Sequence, residues 1–138
     1  FKKINDTYGH LYGDYILKEV GKIIKENVRT IDVVGRFGGE EFSVILVNTN
    51  VRDCIPLAKR IVEGINRKTF IFDGIATNLT ISAGMSGYPS MSKKSKELIK
   101  MADDAMYQTK KKGGNDVTIF QSWNSFLKII LSEKYENV

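Results

Sequence analysis

A chain of 138 residues, 42% hydrophobic and 27% charged, has the length and composition of one globular domain with one core. No apolar run approaches the roughly 20 residues needed to cross a bilayer, and the single cysteine, Cys54, excludes an internal disulfide and fits a reducing, cytoplasmic setting. The net charge of +5 would suit nucleic acid, an anionic surface or a polyphosphate ligand, but only Lys110, Lys111 and Lys112 form a block, so no nucleic-acid partner is expected.

In chain order, Phe1-Lys2-Lys3-Ile4-Asn5-Asp6-Thr7-Tyr8-Gly9-His10 is polar and rich in turn formers, and reads as an irregular lead-in. A helix is predicted from about Gly13 to Val28, with Ile16, Val20, Ile23 and Ile24 on one face and Lys18, Glu19, Lys22, Lys25 and Glu26 opposite. Strands follow near 33–37 and 40–47, joined by Gly38-Gly39, a pair that predicts a tight turn at φ > 0. Asn48-Thr49-Asn50 supplies the N-cap of a second helix over about 52–66, with Cys54 read as a small hydrophobe. Phe70-Ile71-Phe72, the hairpin signal Asp73-Gly74 and a strand reaching Met85 come next. After a loop over 89–94, a third helix spans about 95–112 and ends at Gly113-Gly114, ahead of a last strand over 117–120. The tail, 121–138, carries Trp123, Phe126, Leu127, Ile130 and Leu131 at helical spacing and predicts an amphipathic helix.

Hairpins separated by helices indicate an α+β layered fold, a mainly antiparallel sheet covered by helices, in one domain over 1–120. One element is lacking: a strand ahead of Phe1 would complete a βαββαβ core. The stretch with chemical content is Arg36-Phe37-Gly38-Gly39-Glu40-Glu41-Phe42. Glu40 and Glu41 follow a bend without side chains, which offers a divalent cation oxygen ligands and leaves room for a phosphate. The alternative is a surface hairpin ending in two solvated acids.

The stretch Gly38-Gly39-Glu40-Glu41-Phe42 resembles the signature of the GGDEF domain, the diguanylate cyclase family. So do the opening block, Phe1 to His10 with Gly13-Asp14, and the late block, Ala102-Asp103-Asp104-Ala105-Met106-Tyr107 with Lys110, Gly113 and Asn115, in family order. The resemblance implies a five-stranded sheet of the nucleotidyl-cyclase palm type. It implies condensation of two GTP into cyclic di-GMP with two Mg²⁺ (or Mn²⁺) per site, between two copies facing each other. Glu40 then matches the metal-binding proton acceptor and Glu41 the second metal acid. Asn5 and Asp14 match the guanine-reading pair, and His10 a further substrate position. Lys2 matches the catalytic lysine that contacts the phosphates and stabilises the transition state, Lys110 a second phosphate contact, and Gly38 and Gly39 the turn beneath the triphosphate. Arg29-Thr30-Ile31-Asp32 resembles the family's RxxD product-inhibition motif, with Arg60 as its secondary partner.

Two departures stand out. The family's first metal ligand is an aspartate on the strand before Phe1, so the resemblance implies a weak or inactive enzyme in this stretch alone. Gly114 stands where arginine is usual. The resemblance also implies an upstream sensor or receiver domain and leaves membrane anchoring of the parent open. A bland role remains open for each residue: a loop hydrogen-bonder for His10, a helix-start carboxylate for Asp14, a turn residue for Asn5, a solvated amine for Lys2. Three rivals are open for the whole: a non-catalytic GGDEF domain sensing GTP or cyclic di-GMP, a palm-type enzyme for other nucleotides, and a nucleic-acid binder.

Overall fold

The computed structural model describes residues 1–120 and 126–133. Its elements are α1 (Lys2–Tyr8), α2 (His10–Asn27), β1 (Val33–Gly38), β2 (Glu41–Ile45), α3 (Val51–Arg67), β3 (Thr69–Phe72), β4 (Ile75–Ser86), α4 (Ser95–Lys111), β5 (Asp116–Ile119) and β6 (Phe126–Glu133). They form a six-stranded sheet in the order β1-β2-β6-β4-β3, with β5 on the free half of β4. All pairings are antiparallel except β4 with β5. The α+β class is therefore observed, with one strand more than the five expected.

Local chemistry accounts for most element ends. The Asn50 side chain accepts from the Arg52 backbone N–H and starts α3. Asp73 and Gly74, at φ 50° and 77°, turn β3 into β4 in the mirror-image geometry that hairpins favour. Gly113, Gly114 and Asn115, at φ 110°, 70° and 54°, stop α4.

The core lies between the sheet and helices α2 and α3. Ile16, Val20 and Ile24 of α2 and Ala58, Ile61, Val62 and Ile65 of α3 are buried against Leu79, Ile81, Ala83 and Met85 of β4. The other face of β4 takes α4. Thr109 Oγ1 donates to the Ala83 carbonyl at 2.8 Å and bonds Thr118 Oγ1 at 2.7 Å, pinning α4 to β4 and β5. A Cβ on Gly84 would stand 2.1 Å from the Ala102 carbonyl oxygen and 2.2 Å from the Met106 nitrogen, so helix backbone rests directly on strand backbone. Buried on both faces, β4 is apolar over most of its second half.

Two expectations are corrected. The opening block is not a loop: Lys2–Tyr8 is helical, because Ile4 (1% exposed) docks it on α2, and Gly9 at φ 85° divides the two helices. The tail is not helical over 126–133. It forms β6, antiparallel to β2 on one side (Glu41↔Ile130, Val44↔Leu127) and to β4 on the other (Leu79↔Glu133, Ser86↔Phe126). A short apolar run suits a strand covered on both faces as well as a helix, and Ile129, fully buried, belongs to the main core. The remainder of the predicted tail helix, 121–125 and 134–138 with Trp123, lies outside the described residues. Among those described, no helix is long and apolar enough to cross a membrane.

The α4–β4 contact yields a test. Gly84→Ala forces a methyl group into helix backbone that cannot rotate away. It should cost about 3 kcal/mol, the upper end for overpacking, seen as a lower urea midpoint. An unchanged midpoint would refute the backbone-on-backbone packing.

Candidate active site

The residues singled out lie at three places in the chain, the first two beside one cleft and the third away from its lining. The first is the α1–α2 corner. Asn5, expected in a loop, is on α1, and its amide lies against Gly13 of α2. Tyr12, next to Gly13, is buried, and its hydroxyl bonds Thr77 Oγ1 at 2.8 Å and donates to the Phe70 carbonyl at 3.2 Å. That anchor fixes the first turns of α2 on the β3–β4 hairpin. Asp14 follows on the exposed side and lines a cleft of about 310 Å³ with Leu17, Lys18, Arg36 and Phe42. His10 is the first residue of α2 and Lys2 the first of α1, both exposed.

The second place is the β1–β2 hairpin. Gly38 ends β1, Gly39 and Glu40 make the turn, and Glu41 opens β2. The expectation of φ > 0 at the two glycines is not met, because positive φ occurs at neither. A register shift between Arg36 and Gly38 absorbs the bend instead. What the glycines provide is clearance. A Cβ on Gly39 would meet nothing within 4 Å, and one on Gly38 would lie 3.6 Å from Glu41 Oε2. The turn is held by Arg36, whose Nε donates to the Gly39 carbonyl at 2.9 Å. Arg36 thus touches both the acid-bearing turn and the cleft that holds Asp14. Sequence reasoning gave it no role; its place two residues before the glycine pair was the available signal.

Among the described residues no three of His, Cys, Asp and Glu converge on one point. Magnesium commonly takes one or two carboxylates together with substrate phosphates. Glu40 and Glu41, half-buried at a turn with open space over Gly39, fit that demand as the protein's share of a shell.

The third place is the turn between α2 and β1. Arg29 Nη2 donates to Asp32 Oδ1 at 2.8 Å and Nε to Oδ2 at 3.1 Å. The Nη2 group also reaches the Val47 carbonyl and Thr49 Oγ1, each at 2.6 Å. Asp32, its side chain fully buried, also accepts from the backbone N–H of Arg29 and of Val47. The Arg29 guanidinium holds the Asp32 carboxyl below its ordinary range, burial opposes this, and the two backbone donors reinforce it. Arg60 on α3 reaches the same end of α2, with Nε donating to Asn27 Oδ1 at 2.8 Å and Nη2 to the Asn27 carbonyl at 3.0 Å. Lys110 is exposed in the last turn of α4, the helix that covers β4, β5 and β6.

Comparison with known proteins accords with this architecture. A family model described as diguanylate cyclase, GGDEF domain, matches residues 1–116. The chain is 44% identical over 119 residues to diguanylate cyclase A of Treponema denticola, covering 86% of this chain and 32% of that protein. It is 41% identical over 119 residues to the response regulator PleD of Caulobacter vibrioides, covering 85% and 26%. The chain spans 20–32% of the length of the first curated relatives it matches. Among solved structures it resembles the active GGEEF domain of a diguanylate cyclase from Vibrio cholerae, with a TM-score of 0.71 at 26% identity over 87% of this chain and 76% of that one. With the family model matching most of its length, the chain belongs to the GGDEF family of diguanylate cyclase domains.

Proposed function

We propose that this domain joins two GTP molecules into cyclic di-GMP with release of pyrophosphate, in a magnesium-dependent reaction between two antiparallel copies. The observation that carries the reading is the pairing of two turn glutamates with an adjacent cleft, linked by Arg36. In the cleft, Leu17 and Phe42 offer apolar contact to a purine ring, and Asp14 accepts hydrogen bonds from its N–H edge. Asn5 supplies an amide to the base, and His10 makes a further substrate contact. The triphosphate lies over Gly38 and Gly39, with open space above Gly39 and Glu41 Oε2 beside Gly38. Lys2 and Lys110 donate to its oxygens.

The 3′-hydroxyl of one GTP attacks the α-phosphorus of the other in line, the new P–O bond forms, and pyrophosphate leaves. Glu40 accepts the hydroxyl proton, and Glu41 completes the protein's share of the metal shell. Magnesium, when bound, offsets charge on the phosphoryl oxygens and eases loss of that proton. A second transfer with the roles exchanged closes the ring. One domain holds one nucleotide, so catalysis requires a second copy. Input from a sensor or receiver module elsewhere in the polypeptide would govern that pairing.

Arg29 and Asp32, with Arg60 bonded at the same end of α2, form the proposed product-inhibition site. An arginine fork suits a phosphate or a guanine edge. Arg29 is already bonded to Asp32, Val47 and Thr49, so the product must exchange for some of those bonds.

Two outcomes test this reading, and a third tests the charge state of Asp32. Glu40→Gln should lower cyclic di-GMP formation from GTP and magnesium by about 10²–10⁴-fold with an unchanged melting curve; wild-type turnover would refute the assignment. Arg29→Ala should weaken product inhibition by about 10–100-fold, the loss of a charge-assisted bond, without slowing initial rates. The third outcome concerns pH. Asp32 titrates lower when folded, so its contribution is complete above its ordinary value of 3.8 and disappears as pH falls through the folded value. The stability difference between wild type and Asp32→Asn, from denaturant midpoints, should be constant from about pH 5 to 8 and shrink below about pH 4.

A further inference from the structure

Glycine inside a helix is destabilising relative to alanine. Gly13 is the fourth residue of the 18-residue helix α2, and its φ is not positive, so the backbone does not call for glycine there. Its neighbours supply the reason. A Cβ at Gly13 would stand 1.9 Å from Asn5 Oδ1, 3.0 Å from Asn5 Cγ and 3.3 Å from Phe1 Cζ. All three are side-chain atoms of the opening segment. At Gly84 the obstructing atoms are backbone, and adding a methyl there strains the fold. At Gly13 it evicts one amide.

We propose that Gly13 is a positioning residue for base recognition, holding the Asn5 amide beside the Asp14 carboxylate. The inference rests on the cyclase reading and deepens it. Asn5, carried by α1, lies against Gly13, the residue before Asp14, and Asp14 lines the cleft, so a ligand edge seated there can meet both an amide and a carboxylate. Guanine presents two N–H donors beside a carbonyl acceptor, which match a carboxylate and an amide N–H. Adenine presents one amino donor beside a ring nitrogen and leaves a carboxylate oxygen unmatched. Displacing Asn5 removes one recognition contact and leaves the Tyr12 anchor and the apolar face of α2 untouched.

The experiment is calorimetric titration of the full chain with GTP and with ATP, each with magnesium, alongside thermal melts. Gly13→Ala should melt at or a few degrees above the wild-type temperature, bind GTP about tenfold more weakly and lose much of its preference over ATP. Asn5→Ala, which keeps Gly13, should show the same loss, and the double variant should be no worse than Asn5→Ala alone. Wild-type affinity and preference in Gly13→Ala would overturn the proposal. So would additive losses in the double variant, or a Gly13→Ala protein that fails to fold. Failure of the wild-type chain to bind GTP would instead remove the cyclase reading, before any variant is compared.

Discussion

The sheet is divided between the hairpin that carries the acids and the strands that carry most of the core, and β6 joins the two. Among the described residues β2 pairs with β1 and β6, and has no ladder with β4. Strands lie about 4.8 Å apart, so without a strand between them β2 and β4 would face each other across a gap of about 10 Å with open backbone donors and acceptors. The hairpin is also held by its apolar side chains: Val44, fully buried, joins the main core, and Phe42, 5% exposed, packs where α2 has no side chain, 3.3 Å from the place a Cβ of Gly21 would occupy. Glu40 and Glu41 are thus located by a ladder from one end of the chain and an aromatic contact near the other.

The two kinds of acid at the site follow from their surroundings. Asp32 is buried and given an arginine and two backbone N–H groups, which fixes it as an anion that shapes a turn. Glu40 and Glu41 are half-buried beside a glycine with nothing within 4 Å of an added Cβ, an arrangement that leaves access for a cation and its phosphate. Arg36 divides in the same way, one N–H spent on the turn and the rest of the guanidinium along the cleft.

Legibility in the sequence tracked the strength of the local signal. Helices α3 and α4 and the β3–β4 hairpin were readable because apolar periodicity, the Asn50 cap and Asp73-Gly74 all agree with the fold. Helix α1 was not, since seven mostly polar residues with a single buried side chain, Ile4, draw their helicity from docking on α2. β6 was misread because the run Ile129-Ile130-Leu131 has no period-2 signature to set against helical spacing. The residues proposed to hold metal, read guanine and bind product stand in the sequence as motif letters. What the letters could not give was which atoms meet, and Arg36 and Gly13 emerge only from contacts across elements.

Those contacts separate two uses of one residue type. Gly84 is a requirement of the fold, since two backbones occupy the space a side chain would need. Gly13 lies where only side-chain atoms intrude, the Asn5 amide and the edge of the Phe1 ring, so on the proposed reading its absence of bulk governs where Asn5 stands and not whether the helices pack. A sequence shows both as glycine within an element, and propensity counts against both equally. The distinction comes from asking which atoms fill the vacated volume: backbone that cannot rotate, as at Gly84, or a movable polar side chain, as at Gly13.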